Sequence, residues 1–291
     1  MLTTEEIIKK VKALEIKSKK MTTQLFMGEY HAAFKGKGMN FREVREYTAG
    51  DDIRFIDWNV SARFSHPFTK VFEEERELSI LLLVDISASN EFGTATESKK
   101  DMLIEIAALL TFSAIKDNNK VGVLFFSDEV TLYIPPQKSR KHALYIVRQL
   151  LTIKPTSKGT NFETAIKYFN SVVKQKSMVF LLSDFIGTTY QKDVKVIANK
   201  HDVTAIKIYD RMDMELPNIG LLAVQDAETG HTLLVNTNDS MVQYNYKNTF
   251  LQALDNCSTY FKKVGANVLH IATTDDYVKV LQQYFITKGK K

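Results

Sequence analysis

Five oxygen-bearing side chains, drawn from three distant stretches of the chain, have the types and spacing to hold a hard metal ion. Asp85-Ile-Ser87-Ala-Ser89 presents one carboxylate and two hydroxyls from a single turn. Gly159-Thr160-Asn161 adds the Thr160 hydroxyl, and Ser183-Asp184 adds the second carboxylate. Asp85, Ser87, Ser89, Thr160 and Asp184 make an all-oxygen set that suits Mg²⁺, which wants octahedral oxygens and keeps several waters, with Mn²⁺ or Ca²⁺ as alternatives. Each residue also has a plainer use. Ser87 and Ser89 can cap a following turn, Thr160 can be a helix N-cap, and Asp184 can be an ordinary strand-end turn residue. A lone D-x-S-x-S is a weak signal; three segments in this order, each at a predicted strand end, are far more specific. No histidine lies in these loops and the hydroxyls are committed to the ion, so no general base is evident. The set therefore points to binding and not to an enzyme. A metal-dependent hydrolase using Mg²⁺-activated water is the alternative.

The elements that position these residues follow from periodicity. Ile80–Val84 is a continuous apolar run, as in a strand buried on both faces. Ser98–Lys116 reads as a helix with the capping signal Ser98-Lys-Lys-Asp101. Then come strands over Val121–Phe126 and Val130–Ile134, the second at a sheet edge, and helices over His142–Thr152 and Phe162–Gln175. Met178–Leu182 is a strand, Lys192–Lys200 a helix, Val203–Ile208 a strand, and residues 221–235 a hairpin turning through Gly230. Asn248–Val264, Asn267–Ile271 and Asp275–Tyr284 close the series as helix, strand and helix. Such alternation predicts an α/β fold: a doubly wound, mainly parallel open sheet with helices on both faces. Ligands of such sheets bind beyond the carboxyl ends of the strands, where all three oxygen-bearing segments fall.

The region before the sheet differs. Residues 4–20 read as a helix with an apolar stripe of Ile7, Ile8, Val11, Leu14 and Ile16. Residues 22–77 are rich in Phe, Tyr and Arg, and predict short strands and turns with no long helix. The expected organisation is 1–77 as helix plus strand/turn segment and 78–288 as the α/β domain. Asp51, Asp52 and Asp57 stand near Arg45, Arg54, Arg63 and Arg76, so ion pairs packing this segment onto the sheet are favoured over a second metal or an acid pair.

Composition narrows the classes further. The single cysteine, Cys257, excludes an internal disulfide and fits a reducing compartment. Six scattered histidines without cysteine companions argue against zinc. No apolar run approaches the ~18–20 residues of a membrane span, and Met1-Leu-Thr-Thr-Glu-Glu does not read as a signal peptide, so a cytoplasmic location is expected. The net charge of +5 sits largely in lysine runs near both ends, without the interleaved aromatics of a nucleic-acid face.

Asp85-x-Ser87-x-Ser89, Thr160 and Asp184 together resemble the metal-ion-dependent adhesion site of von Willebrand factor A domains, and Val121-Gly-Val-Leu-Phe-Phe-Ser-Asp128 is similar to that fold's second strand. The resemblance implies that the serines bind the metal directly, that Thr160 and the aspartates bind directly or through water, and that an acidic group of a partner completes the shell. A longer stretch, Arg45-Glu-Tyr47-x-x-Gly50-Asp51-Asp52-x-Arg54-x-Ile56-Asp57-Trp58-x-x-x-Ala62-Arg63, resembles the bacterial domain of unknown function family 58. Gly28, Gly36, Gly38, Phe41, Val71, Glu74 and Phe92-Gly93 fit it too, while Asn90 departs where Met is common. Members are commonly encoded beside MoxR-type AAA+ ATPases. That resemblance implies an adaptor between such an ATPase and a client protein offering an acidic residue to the metal.

Overall fold

Side-chain alternation in four apolar runs decides the architecture. In Ser79–Asp85 (β3), Ile80, Leu82 and Val84 enter one core while Leu81 and Leu83 enter another. Lys120–Phe126 (β4), Met178–Ser183 (β6) and Asp202–Tyr209 (β7) divide in the same way. Strands apolar on both sides need cover on both faces. Lys99–Lys116 (α3), Arg140–Thr152 (α4) and Tyr277–Gly289 (α9) cover one face; Phe162–Val172 (α5), Gln191–Ala198 (α6) and the end of Ser240–Lys263 (α8) cover the other.

The protein is described by a computed structural model over residues 4–25, 40–73, 78–91, 98–155, 159–186, 190–225 and 232–289. With Val130–Gln137 (β5) and Asn267–Ala272 (β10), the six-stranded sheet runs β10-β7-β6-β3-β4-β5. All neighbours are parallel except β4 and β5. The chain leaves β3 for β4 on one side, and β6 lies on the other. The carboxyl end of β3 is thus the topological switch point, where open α/β sheets form a crevice. The expected fold class is what the chain adopts. The outer strand β5 carries Pro135 and Pro136 beside an irregularity in its pairing with β4.

Thr4–Leu25 (α1) packs Val11, Leu14 and Met21 onto the α3–α4–α9 side. Lys17 to Glu105 at 2.5 Å and Glu15 to Arg140 at 2.7 Å tie it there. Asn40–Glu46 (β1) and Phe68–Glu73 (β2) form an antiparallel pair around a single helical turn at 53–55 and the short helix Trp58–Phe64 (α2). Among the described residues, the ion pairs of Asp51, Asp52 and Asp57 close within this segment instead of reaching the sheet. Arg45 meets Asp51 at 2.8 Å and Arg54 meets Asp52 at 2.6 Å, while Asp57 caps α2 and faces Lys70 at 3.3 Å. The cause is local: residues two to six apart across a tight turn reach each other before any distant partner. The Arg54 guanidinium holds Asp52 down at about 2.

Leu221–Gln225 (β8) and Thr232–Asn236 (β9) form the expected hairpin. Several helices differ from expectation: α1 runs on to Leu25 and α9 to Gly289, while α5 stops at Val172. α8 starts at Ser240, because Asp239 accepts from Met241 N and Val242 N as N-cap. Arg211–Met214 (α7) is an extra turn set by a capping box of Asp210 and Asp213. Gly28, Gly36, Gly38, Glu74, Arg76, Phe92-Gly93, Gly230 and the side chains of Phe41 and Asn90 lie outside the described residues.

Candidate metal centre

Asp85 ends β3 and is 1% exposed. Its Oδ1 accepts from Ser87 N at 2.9 Å, a local turn that brings the Ser87 and Ser89 hydroxyls within 3.1 Å of each other. Ile86 N donates to Phe126 O at 2.9 Å and fixes this turn against β4. Asp85 Oδ2 accepts from the Ser183 hydroxyl at 2.6 Å, so the last residue of β6 holds the carboxylate from the other side.

Asp184 follows directly and is also buried. Its Oδ1 accepts from Ile186 N at 3.2 Å and its Oδ2 from Lys99 Nζ at 3.0 Å. Phe185 then turns the chain with φ of 50°, in the left-handed region that side chains avoid. Packing holds it there: its ring stacks on Phe162 at 5.4 Å and meets Tyr190 at 5.0 Å and Phe261 at 5.8 Å edge-on. Phe185 N returns a hydrogen bond to Ser183 Oγ at 3.0 Å.

Thr160 arrives from the β4 side. Asn161 N donates to Ser127 O at 2.9 Å and Gly159 N to Asp128 Oδ2 at 3.2 Å, which clamps residues 159–161 to the end of β4. A Cβ on Gly159 would lie 2.5 Å from Asp128 Oδ1, so any side chain there would displace the carboxylate that holds this loop. Asn161, not Thr160, caps α5, accepting from Thr164 N. Thr160 is half-buried at the same rim. Asp85, Ser87, Ser89 and Asp184 are thus joined through direct contacts of their own segments, and Thr160 is set at the neighbouring strand end.

Burial, then the charge of Asp184, push Asp85 up to about 6. Two carboxylates that repel in a dry setting are what a divalent cation relieves. The donor set fits a hard cation in kind: oxygens only, two carboxylates among them. Among the described residues no three His, Cys, Asp or Glu side chains gather as a metal-holding group. The hydroxyls of Ser87, Ser89 and Thr160 would have to complete the shell. A crevice of about 20 Å³ opens beside Asp85 and Ser87, between Leu103 and Phe125. That is room for about one water.

Three charged residues of this rim were not anticipated. Lys99, 1% exposed, reaches Asp184 and also Asp213 Oδ2 at 3.3 Å. Lys207, in β7, donates to the Asp184 carbonyl, and burial pushes its ammonium below the ordinary lysine range. Asp213 accepts from Asp210 N at 2.8 Å within α7. The signals were present. Lys99 stands in the first turn of a helix, where a cation opposes the dipole, and Lys207 interrupts an otherwise apolar strand.

A family profile described as "Protein of unknown function DUF58" matches residues 43–253. The chain belongs to this family. Among relatives of this DUF58 chain, the uncharacterized protein Rv1480 of Mycobacterium tuberculosis is 32% identical over 223 residues, covering 76% of this chain and 70% of that one. The uncharacterized protein YeaD of Bacillus subtilis is 29% identical over 107 residues, 37% of this chain and 25% of that protein. Among solved structures, BatB from Bacteroides thetaiotaomicron aligns with a TM-score of 0.49 at 14% identity, over 74% of this chain and all (100%) of that one. The SpRpn10 VWA domain aligns at 0.38 and 10% identity, over 71% and 94%. At these scores neither bears on the function of this DUF58 chain. No helix among its described residues is long and apolar enough to cross a membrane.

Proposed function

We propose that this DUF58 protein is a von Willebrand factor A-like, non-enzymatic interaction module that takes one divalent cation, most readily Mg²⁺, at the rim of its sheet and uses it to grip an acidic residue of a protein partner. One observation carries the reading. Two buried carboxylates from adjacent strands, Asp85 and Asp184, meet beside the paired hydroxyls of Ser87 and Ser89, and burial together with the charge of Asp184 raises the cost of ionising Asp85. A cation bound there supplies a strong positive centre with positions open to an anionic group. The chain's own part is to pre-form the rim. Ser183 and Ser87 N orient Asp85, Ile186 N orients Asp184, and Asp128 fixes the loop that carries Thr160. The resemblance noted at Arg45–Arg63 extends the proposal to an adaptor linking a MoxR-type AAA+ ATPase with a client protein, in assembly or maturation of another complex, in the cytoplasm.

The test is capture of the ATPase by the full chain in Mg²⁺ and again in EDTA, beside Asp85→Ala. Capture that needs Mg²⁺ and is lost in Asp85→Ala, with the circular dichroism spectrum unchanged, supports the reading. Capture indifferent to both chelator and substitution overturns it.

A further inference from the structure

We propose that Lys99 is a built-in counter-ion for Asp184 that weakens the rim's hold on a divalent cation and keeps Asp184 out of direct ligation. This rests on the reading of the rim as a metal site. As in Asp85, both Asp184 oxygens accept hydrogen bonds, Oδ1 from Ile186 N, but its Oδ2 accepts from a charged donor, Lys99 Nζ. A cation bonding Oδ2 at the ~2.0–2.1 Å that Mg²⁺ requires would stand against a fixed ammonium. An intervening water keeps the two positive centres apart and still uses the carboxylate's charge.

The ammonium has no easy retreat. Lys99 is 1% exposed, its helix start is fixed by the Ser98–Asp101 capping box, and Asp213 holds it from a second side at 3.3 Å. Lys207 adds a second ammonium behind Asp184, on its carbonyl. Asp85 accepts from the backbone N–H of Ser87 and the hydroxyl of Ser183, two neutral donors. The two carboxylates therefore divide the work. Asp85 and the hydroxyls face the cation, while Asp184 is largely neutralised from within. A cation seated there keeps more of its charge uncompensated, which is what makes an anionic partner group worth binding. The same pairing lets β6, α3 and α7 stay together before any cation arrives.

Mn²⁺ binding by the full chain, read from the EPR signal of the free ion, tests this together with thermal unfolding in EDTA. Lys99→Met should bind Mn²⁺ at least about tenfold more tightly than the unaltered chain, because one nearby positive charge is gone. It should also melt lower in EDTA and recover with Mn²⁺. Asp213→Asn, which leaves Lys99 to Asp184 alone, should bind Mn²⁺ severalfold more weakly. A lysine needed only for packing would lower affinity when removed. So if the unaltered chain binds and Lys99→Met binds equally or more weakly, the role of Lys99 is overturned while the metal site stands. If Lys99→Met alone binds, the counter-ion role is supported while the reading of the unaltered chain as a cation-holding module falls. If neither binds, both readings fall. Should Lys99→Met fail to fold, an unchanged affinity in Asp213→Asn overturns the proposal and a weakened one supports it.

Discussion

Replacing Asp85 by Asn should make the metal-free protein more stable, and the size of the gain follows from the rim. A free aspartate titrates near 3.8, whereas burial and the neighbouring Asp184 hold Asp85 at about 6 in the folded chain. A carboxyl whose folded pKa is raised favours folding when protonated. That contribution is fully present below pH 3.8 and is lost as pH climbs through about 6. At pH 7.5 the ionised group therefore costs about 3 kcal/mol against its neutral form, from roughly two pKa units at 1.36 kcal/mol each. The amide does not recover all of this. Its oxygen can accept from Ser87 N, but its NH₂ must face the Ser183 hydroxyl, which now donates to Asp85 Oδ2. Reversing that bond costs about 1 kcal/mol. The net gain is about 1–2 kcal/mol at pH 7.5, or roughly 2–6 °C in melting temperature, and it turns into a small loss towards pH 4, where only the bond reversal remains. Melting in EDTA from pH 4 to 8 measures it. Asp85→Asn melting below the unaltered chain at pH 7.5, or a gain of equal size at pH 4, would refute the reasoning.

Three smaller perturbations probe the supports. Gly159→Ala drives a methyl against Asp128 and should shift the Thr160 loop, lowering Mn²⁺ affinity severalfold in titration with about 1 kcal/mol lost in denaturation. Ser98→Ala removes the cap that places Lys99 and should cost about 1 kcal/mol in urea unfolding. Cys257 is 2% exposed and burial pushes its thiol up, so a disulfide reagent should label it slowly in buffer and at once in denaturant. Fast labelling of the native chain would show that α8 opens on its own.

The sheet was legible because its strands are long apolar runs whose burial leaves no other solution, as Ile80–Val84 shows. Helix starts were legible only where the cap sat beside an apolar stripe. Ser98 satisfied that, while Asp239 lies ahead of a polar stretch, Met241–Lys247, that hides the first turns of α8. The meeting of the Asp85–Ser89 turn with Ser183-Asp184 could be read from spacing, since loops at a sheet's carboxyl edge converge. The charges behind them could not. Lys99 and Asp213 meet only after α3 and α7 are folded, so the odd placing of a lysine in a helix's first turn marks the residue without naming its partners. The arginines and aspartates of residues 45–57 misled for the opposite reason: their pairing is too local to report on long-range packing.

The prolines in β5 carry a consequence for how other molecules approach. Pro135 and Pro136 offer no N–H, and they sit in the outermost antiparallel strand. Strand-by-strand extension from that side is therefore interrupted, which guards against sticking to another sheet. A strand from another molecule therefore finds no continuous ladder along that flank of the sheet.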